Sequence, residues 1–588
     1  MERTGAGRFR GAIVAGVAAL IYLGCAASPP ALMDDVDAVQ AQIARNMLDS
    51  GDWVTARLDG VAYLEKSPLI YWMMASSYAV FGPHAWAARL PLALSAILLC
   101  WFTYRFGAWA FSEAEGFYAG LTMATCIGLW LFTRIQIPDA VLTLTIAITM
   151  FAFLRAMEPD ERRPRLWSLM AFAAIGVGLL LKGLIAALFP VAAAFLCLVF
   201  TRQLFVWETW RRLNPAVGIA AMLAISAPWH VLATLRNPPY FDWTMKSAPG
   251  QYHGFFWFYF LNEHVFRFLN MRYPRDYNTV ARPLFWGFHL LWLFPWSAFV
   301  GGAFGLGAKP TDRAGRARLL LYCWAGFLMV FFTFSTTQEY YSMPCYPALA
   351  MLLGSAIARG GQARTIGSRV LAAVCASALG AIVFLLIAVW NTPAPGDISR
   401  ALTQNPDAYT LSLGHLGDLT IQSFAYLRIP LMLAGLAFAV GTVAAWRFRP
   451  LGIAAMMVLF FHAARLALIA FDPYMGSKPL AEALKSAPAG QLIVDDQYYS
   501  FSSVFFYANR TALLLNGRVN NLEYASYAPG APDVFLDDAR FMAEWRSGGR
   551  QYLVIEKAKA VRFTKIADLP WHTVTESGGK LLVTNTPI

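Results

Sequence analysis

The segment YLEKSP, residues 63–68, places the carboxylate of Glu65 beside the ammonium of Lys66, between two apolar runs and just before Pro68. A carboxylate can take a proton from an attacking hydroxyl, and a lysine can neutralise charge gathering on a departing phosphate. Two adjacent charges also describe any solvated loop. Their company argues against that simpler reading. Charged and phenolic groups recur in DDVD (Asp34, Asp35, Asp37), TRIQIPD (Arg134, Asp139), LLKG (Lys182), NEHVFRF (Glu263, His264, Arg267) and TTQEYY (Glu339, Tyr340, Tyr341), each beside an apolar run. An arginine such as Arg267 grips phosphate in a bidentate fashion, and Lys66 and Lys182 supply point charges.

The elements that must position these groups are membrane helices. The chain has 588 residues, 58% hydrophobic and 14% charged, where a soluble protein carries roughly 25% charged residues. Its mean hydropathy is +0.48. About thirteen apolar segments reach the length needed to cross roughly 30 Å of hydrocarbon. They fall at 11–28, 85–111, 115–133, 138–156, 167–181, 183–200, 214–233, 283–305, 318–335, 342–359, 369–391, 425–446 and 451–471. The net charge of +12 sits in short clusters between these segments, without a basic stripe or nucleic-acid motif, so nucleic acid is not an expected partner. Seven cysteines lie in or beside apolar runs, and none has CxxC or another ligand spacing.

Basic clusters recur on alternate connections: Arg3, Arg8 and Arg10; Arg162, Arg163 and Arg165; Arg202, Arg211 and Arg212; Lys309, Arg313, Arg316 and Arg318; Arg359, Arg364 and Arg369; Arg447 and Arg449. The positive-inside rule then puts the N-terminus in the cytoplasm, with an uncleaved first helix, and the C-terminus outside. Residues 1–471 form the expected membrane domain, with outward loops at about 29–84, 236–282 and 392–424. Within the first loop, Val36, Val39, Ile43 and Met47 have helical spacing and predict an amphipathic helix along the interface. Residues 472–588 change character. QLIVDD, SVFFYANR, TALLLNG, QYLVIEK and KLLVTN read as short strands, and helical stretches near 477–486 and 534–546 complete a small α/β domain.

All the chemistry-bearing segments fall at the outer mouths of spans. Snorkelling accounts for one lysine or arginine there. It does not account for acids and bases at one membrane level in five segments, and ionisable groups at that depth are functional candidates. The chain lacks GxxxxGK[ST], a GxGxxG after a strand, and GxSxG, which argues against an NTPase, a Rossmann dehydrogenase and a lipase-type esterase. An outward-facing enzyme has no supply of nucleotide sugar, so an activated lipid-phosphate donor fits better. A polyprenyl-lipid transporter or flippase is the non-enzyme alternative. It would call for polar groups near the midplane and internal repeats, which the sequence does not show.

Taken in order, DDVDAVQAQIARNMLDSGDWVTARLDGVAYLEKSPLIYW, RLPLALSA, LLLKGLIAALFP, APWH, LNEHVFRF and EYYSMPCYPAL resemble the membrane glycosyltransferases of the GT-C fold. The likeness is to the bacterial lipid A aminoarabinose transferase group, related to protein O-mannosyltransferases. It implies an all-α polytopic GT-C protein with a small α/β periplasmic domain in a bacterial inner membrane. The implied activity is inverting transfer of a sugar from a polyprenyl-phosphate (undecaprenyl-phosphate) donor to lipid A or another envelope glycan, or to a protein acceptor. The implied catalytic acids are Asp35, Asp139 and Glu65, and Lys66, Arg267, Tyr341, Lys182 and Tyr63 contact substrate. Glu65 and His264 match positions able to hold a divalent ion, zinc or magnesium, and no organic cofactor is implied. The expected state is a monomer among membrane lipids. Two departures stand out. EKSP replaces the usual EKPP, and DDVD replaces DE, so Asp34, Asp35 and Asp37 compete for the catalytic place that the resemblance gives first to Asp35.

Overall fold

The computed structural model describes residues 5–274, 280–335, 337–403, 414–566 and 571–587; Arg3 of the first basic cluster lies outside them. Helix α1 covers Gly5–Ala27, α2 Val36–Ser50, α3 Leu69–Phe81, α4 Ala85–Ala110, α5 Glu113–Thr125, α6 Ile127–Phe132, α7 Asp139–Met157, α8 Pro164–Lys182 and α9 Ile185–Phe200. Among the described residues ten helices are long and apolar enough to cross a membrane. The pair Arg282–Trp292 and Trp296–Gly305, bent by 106°, makes an eleventh if counted as one span. The protein is a multi-pass membrane protein.

All thirteen apolar segments are helical, but three fall short of a continuous span. One is the bent pair. Another splits into α5 and α6 at Cys126, whose backbone is extended. The Ile127 N–H, lost to the helix ladder there, donates to Phe294 O at 3.2 Å, as a buried break requires. The third, α9, has only 16 residues. Hydropathy averages over such breaks, which explains the higher count from sequence.

Helix α2 does not lie free along an interface. Its polar Asp37, Gln40 and Gln42 are buried along with Val39, Ile43 and Met47. The face expected to meet water is covered by both parts: Arg89 reaches Asp37 at 2.8 Å, and Arg45 Nη1 donates to Phe506 O of the tail at 3.0 Å.

The last membrane helix continues to Met475, and helix Lys478–Ser486 opens the tail. Two-residue strands β1 (Arg57–Leu58) and β2 (Val61–Ala62) form a hairpin in the first loop. The tail supplies β3 (Gln491–Asp495), β4 (Leu513–Leu515), β5 (Phe535–Leu536), β6 (Gln551–Glu556), β7 (His572–Ser577) and β8 (Lys580–Thr584). They form one sheet in the order β5-β4-β3-β6-β8-β7, parallel from β5 to β6 and antiparallel beyond. SVFFYANR, expected as a strand, is mostly helix, Ser502–Ala508. Val504, Phe505 and Phe506 are all buried against neighbouring elements, and that packing overrides β-propensity.

DDVD is one of the junctions between the tail and the membrane part. Asp34 accepts from Ser503 N at 2.8 Å, Ser503 Oγ at 2.7 Å, Ser477 Oγ at 2.6 Å and Lys580 Nζ at 2.7 Å. Its carboxylate is a bolt between the two parts.

Candidate active site

The three aspartates of DDVD have three different fates. Asp34 is consumed by the tail. Asp37 is buried and takes Arg89 Nη2 at 2.8 Å, Met33 N at 3.1 Å and Gln136 N at 3.2 Å. Asp35 stands at the N-cap of α2 with φ +77°, and its side chain makes no cap hydrogen bond. That backbone region disfavours residues other than glycine, and here it is held from the tail: Asp35 N–H donates to Tyr499 O at 2.8 Å, and Asp35 O accepts from Ser502 Oγ at 3.0 Å. Enclosure by protein, with Asp34 and Asp37 adding, pushes the Asp35 carboxyl up to about 6. It keeps accessible surface, so solvent tempers that rise. Of the three, only Asp35 offers a carboxyl not tied up by a cation.

YLEKSP is fixed from both sides. Pro68 caps α3. Ser67, buried, donates to Leu179 O of α8 at 2.9 Å and pairs with the Tyr259 hydroxyl. The serine that distinguishes EKSP from EKPP therefore ties the loop to a membrane helix. Glu65 pairs with Lys66, accepts from Tyr63 Oη at 3.0 Å, and has Arg267 Nη1 at 3.7 Å and Arg272 Nη2 at 4.0 Å. Burial opposes its ionisation, but Lys66, Arg272 and Arg267 outweigh burial and bring the carboxyl down to about 2. An ionised carboxylate held among cations fits an orienting role better than that of the catalytic acid the resemblance implies.

Arg267 also donates to Glu263 at 2.9 Å and to Tyr341 Oη at 3.1 Å. Lys182, at the end of α8, reaches Asp139 Oδ1 at 2.6 Å and lies 4.9 Å from the ring centroids of both Tyr340 and Tyr341. The structure therefore assembles Tyr63, Glu65, Lys66, Lys182, Arg267 and Tyr341 as the sequence reading expects. Asp139 joins them as the partner of Lys182. Arg134 stands apart, over the Trp130 ring.

The two expected metal ligands do not fit a metal. His264 Nε2 accepts from Leu184 N–H at 3.1 Å, and Nδ1 faces Tyr259 O at 2.5 Å. Both ring nitrogens are committed to backbone, and burial holds the imidazole below its ordinary pKa. Its work is to brace the break after α8, where Gly183 has φ +69° and an added Cβ would fall 2.1 Å from His264 Nε2. Glu65 is already surrounded by cations. Among the described residues no three His, Cys, Asp or Glu side chains gather around a common point.

Proteins of known identity are similar to this chain. The family described as dolichyl-phosphate-mannose-protein mannosyltransferase matches residues 65–234. The undecaprenyl phosphate-alpha-4-amino-4-deoxy-L-arabinose arabinosyl transferase of Aeromonas salmonicida (strain A449) is 29% identical over 324 residues, 54% of this chain and 54% of that relative. Arabinosyl transferase 1 of Pseudomonas fluorescens (strain Pf0-1) is 25% identical over 538 residues, 87% of this chain and 84% of the other. The crystal structure of ArnT from Cupriavidus metallidurans bound to undecaprenyl phosphate superposes with a TM-score of 0.77 at 21% identity, covering 100% of this chain and 99% of that one. The fold is GT-C. Within it, the sequence reading missed Arg272, Tyr499 and Asn521. NMRYPRD and DDQYYSF give no signal for them, because what recruits them is contact between the tail and the second loop: Arg272 Nη2 donates to Asn521 Oδ1 at 2.7 Å.

Proposed function

We propose that this GT-C protein is an inverting glycosyltransferase that moves a sugar from an undecaprenyl-phosphate donor to a hydroxyl of lipid A or another cell-envelope acceptor. The observation that carries the reading is the pairing of one uncommitted carboxyl, Asp35, with a clamp of Lys66, Arg267 and Tyr341. In the reaction the acceptor O–H gives its proton to Asp35, and its oxygen attacks the anomeric carbon. The bond from that carbon to the phosphate oxygen breaks on the opposite face. The electron pair leaves on the phosphate, where Lys66 and Arg267 neutralise it and Tyr341 donates a hydrogen bond. A single displacement inverts the anomeric centre. Glu65 and Asp139 hold Lys66, Arg267 and Lys182 in place, and no step passes through a metal. The monomer suffices, since the whole set comes from one chain.

The match of residues 65–234 to the mannosyltransferase family supports a second acceptor class, serine or threonine hydroxyls of proteins. Mass spectrometry of lipid A, envelope glycans and secreted proteins, with and without the chain, separates the two. Loss of a sugar from none of them, together with no binding of undecaprenyl phosphate by the purified protein, would remove the reading. A flippase would keep the need for Lys66 and Arg267 but not for Asp35.

The basic connections support an N-terminus in the cytoplasm and a tail in the periplasm, in a bacterial inner membrane. An impermeant thiol reagent should then modify a cysteine placed at Ser547 and not one at Ser112. Modification of the Ser112 position alone would reverse the orientation.

A further inference from the structure

Tyr499, in the short turn Tyr498–Phe501 of the tail, touches both halves of the site. Its carbonyl holds the Asp35 N–H at 2.8 Å. Its hydroxyl donates to Tyr63 Oη at 3.0 Å, and Tyr63 Oη donates to Glu65 Oε2 at 3.0 Å. Behind it, Asn521 Nδ2 donates to Tyr499 Oη at 3.0 Å while Asn521 Oδ1 accepts from Arg272 at 2.7 Å. Arg272 Nε donates to Glu263 at 2.6 Å, Glu263 accepts from Arg267 at 2.9 Å, and Arg267 lies 3.7 Å from Glu65. Seven side chains thus close a ring through Glu65, and two of them, Tyr499 and Asn521, belong to the tail. Every donor from Arg272 to Tyr63 points along the chain toward Glu65. Hydrogen bonds arranged in series polarise one another, so a buried network of this kind responds as a unit.

The ring has a use that a mere docking contact lacks. Lys66 and Arg267 must turn part of their charge from Glu65 to a phosphate when the donor binds. Glu65 stays in place only if other donors keep it there, and Tyr63 is its nearest neutral one. The side chains of Lys66 and Arg267 keep 28% and 21% of their surface, so both are reachable while Glu65 is buried. Asp35, in a disfavoured backbone conformation, needs the other arm of the same residue. Asp34, bolted to Ser477, Ser503 and Lys580, anchors the tail one residue away.

We infer that Tyr499 is a positioning residue for glycosyl transfer: it sets the Asp35 carboxyl against the Lys66–Arg267 clamp, which makes the tail part of the active site. This rests on the reading of Lys66 and Arg267 as a lipid-phosphate clamp, and the experiment keeps the two apart. Full-length protein in detergent is titrated with undecaprenyl phosphate, and the melting temperature and the ³¹P resonance of the bound lipid are recorded. Tyr499→Phe keeps the ring packing and the carbonyl contact while removing only the hydroxyl. It should weaken binding about fivefold, the scale of one hydrogen bond, and shift the ³¹P resonance, with melting unchanged. Tyr63→Phe should do the same.

The double variant should bind no worse than either single, because both interrupt one series. Asn521→Leu enters the series from the far side and gives a second route to the same loss should Tyr499→Phe fold poorly. Wild-type affinity in Tyr499→Phe, or losses that simply multiply in the double variant, would overturn the inference while leaving the clamp standing. If Lys66→Ala binds undecaprenyl phosphate as tightly as wild type, the clamp itself is wrong and the inference falls with it.

Discussion

The two ends of α7 each carry a carboxylate among cations, and they are built differently. Asp139 opens the helix and Glu158 follows its close, separated by 19 residues, or about 28 Å of helix. At the Glu158 end, Arg316 Nε and Nη2 meet the carboxylate at 3.0 and 2.8 Å, Arg313 adds a contact at 3.3 Å, and Arg155 pairs with Glu161. Those contacts come from two connections. At the Asp139 end, Lys182 meets Asp139 at 2.6 Å and Lys66 pairs with Glu65, but Glu65 also shares Arg267 and Arg272 at 3.7 and 4.0 Å. There Arg267 is shared with Tyr341 and Glu263, and the contributors come from five separated segments and the tail. Short direct pairs make a staple. Contacts shared in this way can be exchanged for a ligand at low cost, because Arg267 keeps Glu263 and Tyr341 when it turns from Glu65.

The largest expected effect tests the chemistry at the exchangeable end. Asp35→Asn should lower turnover by about 10³-fold or more, within the range for losing a general base, while undecaprenyl phosphate still binds within a few fold. In the wild type, kcat/KM should rise with pH through about 6, as the raised Asp35 carboxyl loses its proton, and that limb should be missing in Asp35→Asn. A limb that persists there belongs to another group.

Next comes the comparison itself. Lys66→Ala should cost about 10²–10³ in kcat/KM, the scale for one electrostatic stabiliser, and Lys66→Arg should recover only part. Arg316→Ala, at the stapled end, should lower the melting temperature with kcat/KM unchanged. Equal losses in the two alanine variants would erase the distinction between the ends.

A smaller effect concerns how the tail sits on the first loop. Asp59, between β1 and β2, is buried and accepts from Ala512 N–H at 3.0 Å, and burial pushes its carboxyl up to about 7. A raised carboxyl favours the protonated folded state. The penalty is therefore absent below the ordinary carboxylate pKa, grows between about 4 and 7, and is complete above. Asp59→Asn keeps the acceptor and should raise the melting temperature by about 2–6 °C at pH 8, with less gain at pH 5. An equal gain at both pH values would rule out titration as the cause.

The smallest effect is expected from the tail's own acidic pair. Asp495 and Asp496 are paired with Arg562 at 3.3 Å and Lys559 at 3.1 Å. Replacing both by asparagine should leave turnover within a few fold. A hundredfold loss in folded protein would move catalysis toward the sheet.

Much of this arrangement was legible beforehand. Apolar length gave the membrane helices, because the cost of unsatisfied backbone in hydrocarbon leaves little choice of structure. The recurrence of Glu65, Lys66, Lys182, Arg267 and Tyr341 at span mouths gave the phosphate-facing set, because charge at that depth needs a reason. The break at Gly183 was already visible as the gap between two apolar runs, but local pattern could not give the one at Cys126, which depends on a carbonyl from Phe294 arriving from a distant segment. Nor could it rank Asp34, Asp35 and Asp37. All three are the same residue type within four positions, and what separates them is which partners reach them: Lys580 and two serines for Asp34, Arg89 for Asp37, and only backbone clamps for Asp35. Tyr499 and Asn521 were invisible for the same reason. The sequence alone determined most of the membrane helices and which residue types they bring to one membrane level, since burial and charge act on each segment by itself. Only the tertiary structure decided which carboxyl stays uncommitted and that the tail closes the ring around Glu65, because hydrogen bonds and ion pairs are fixed by neighbours hundreds of residues away.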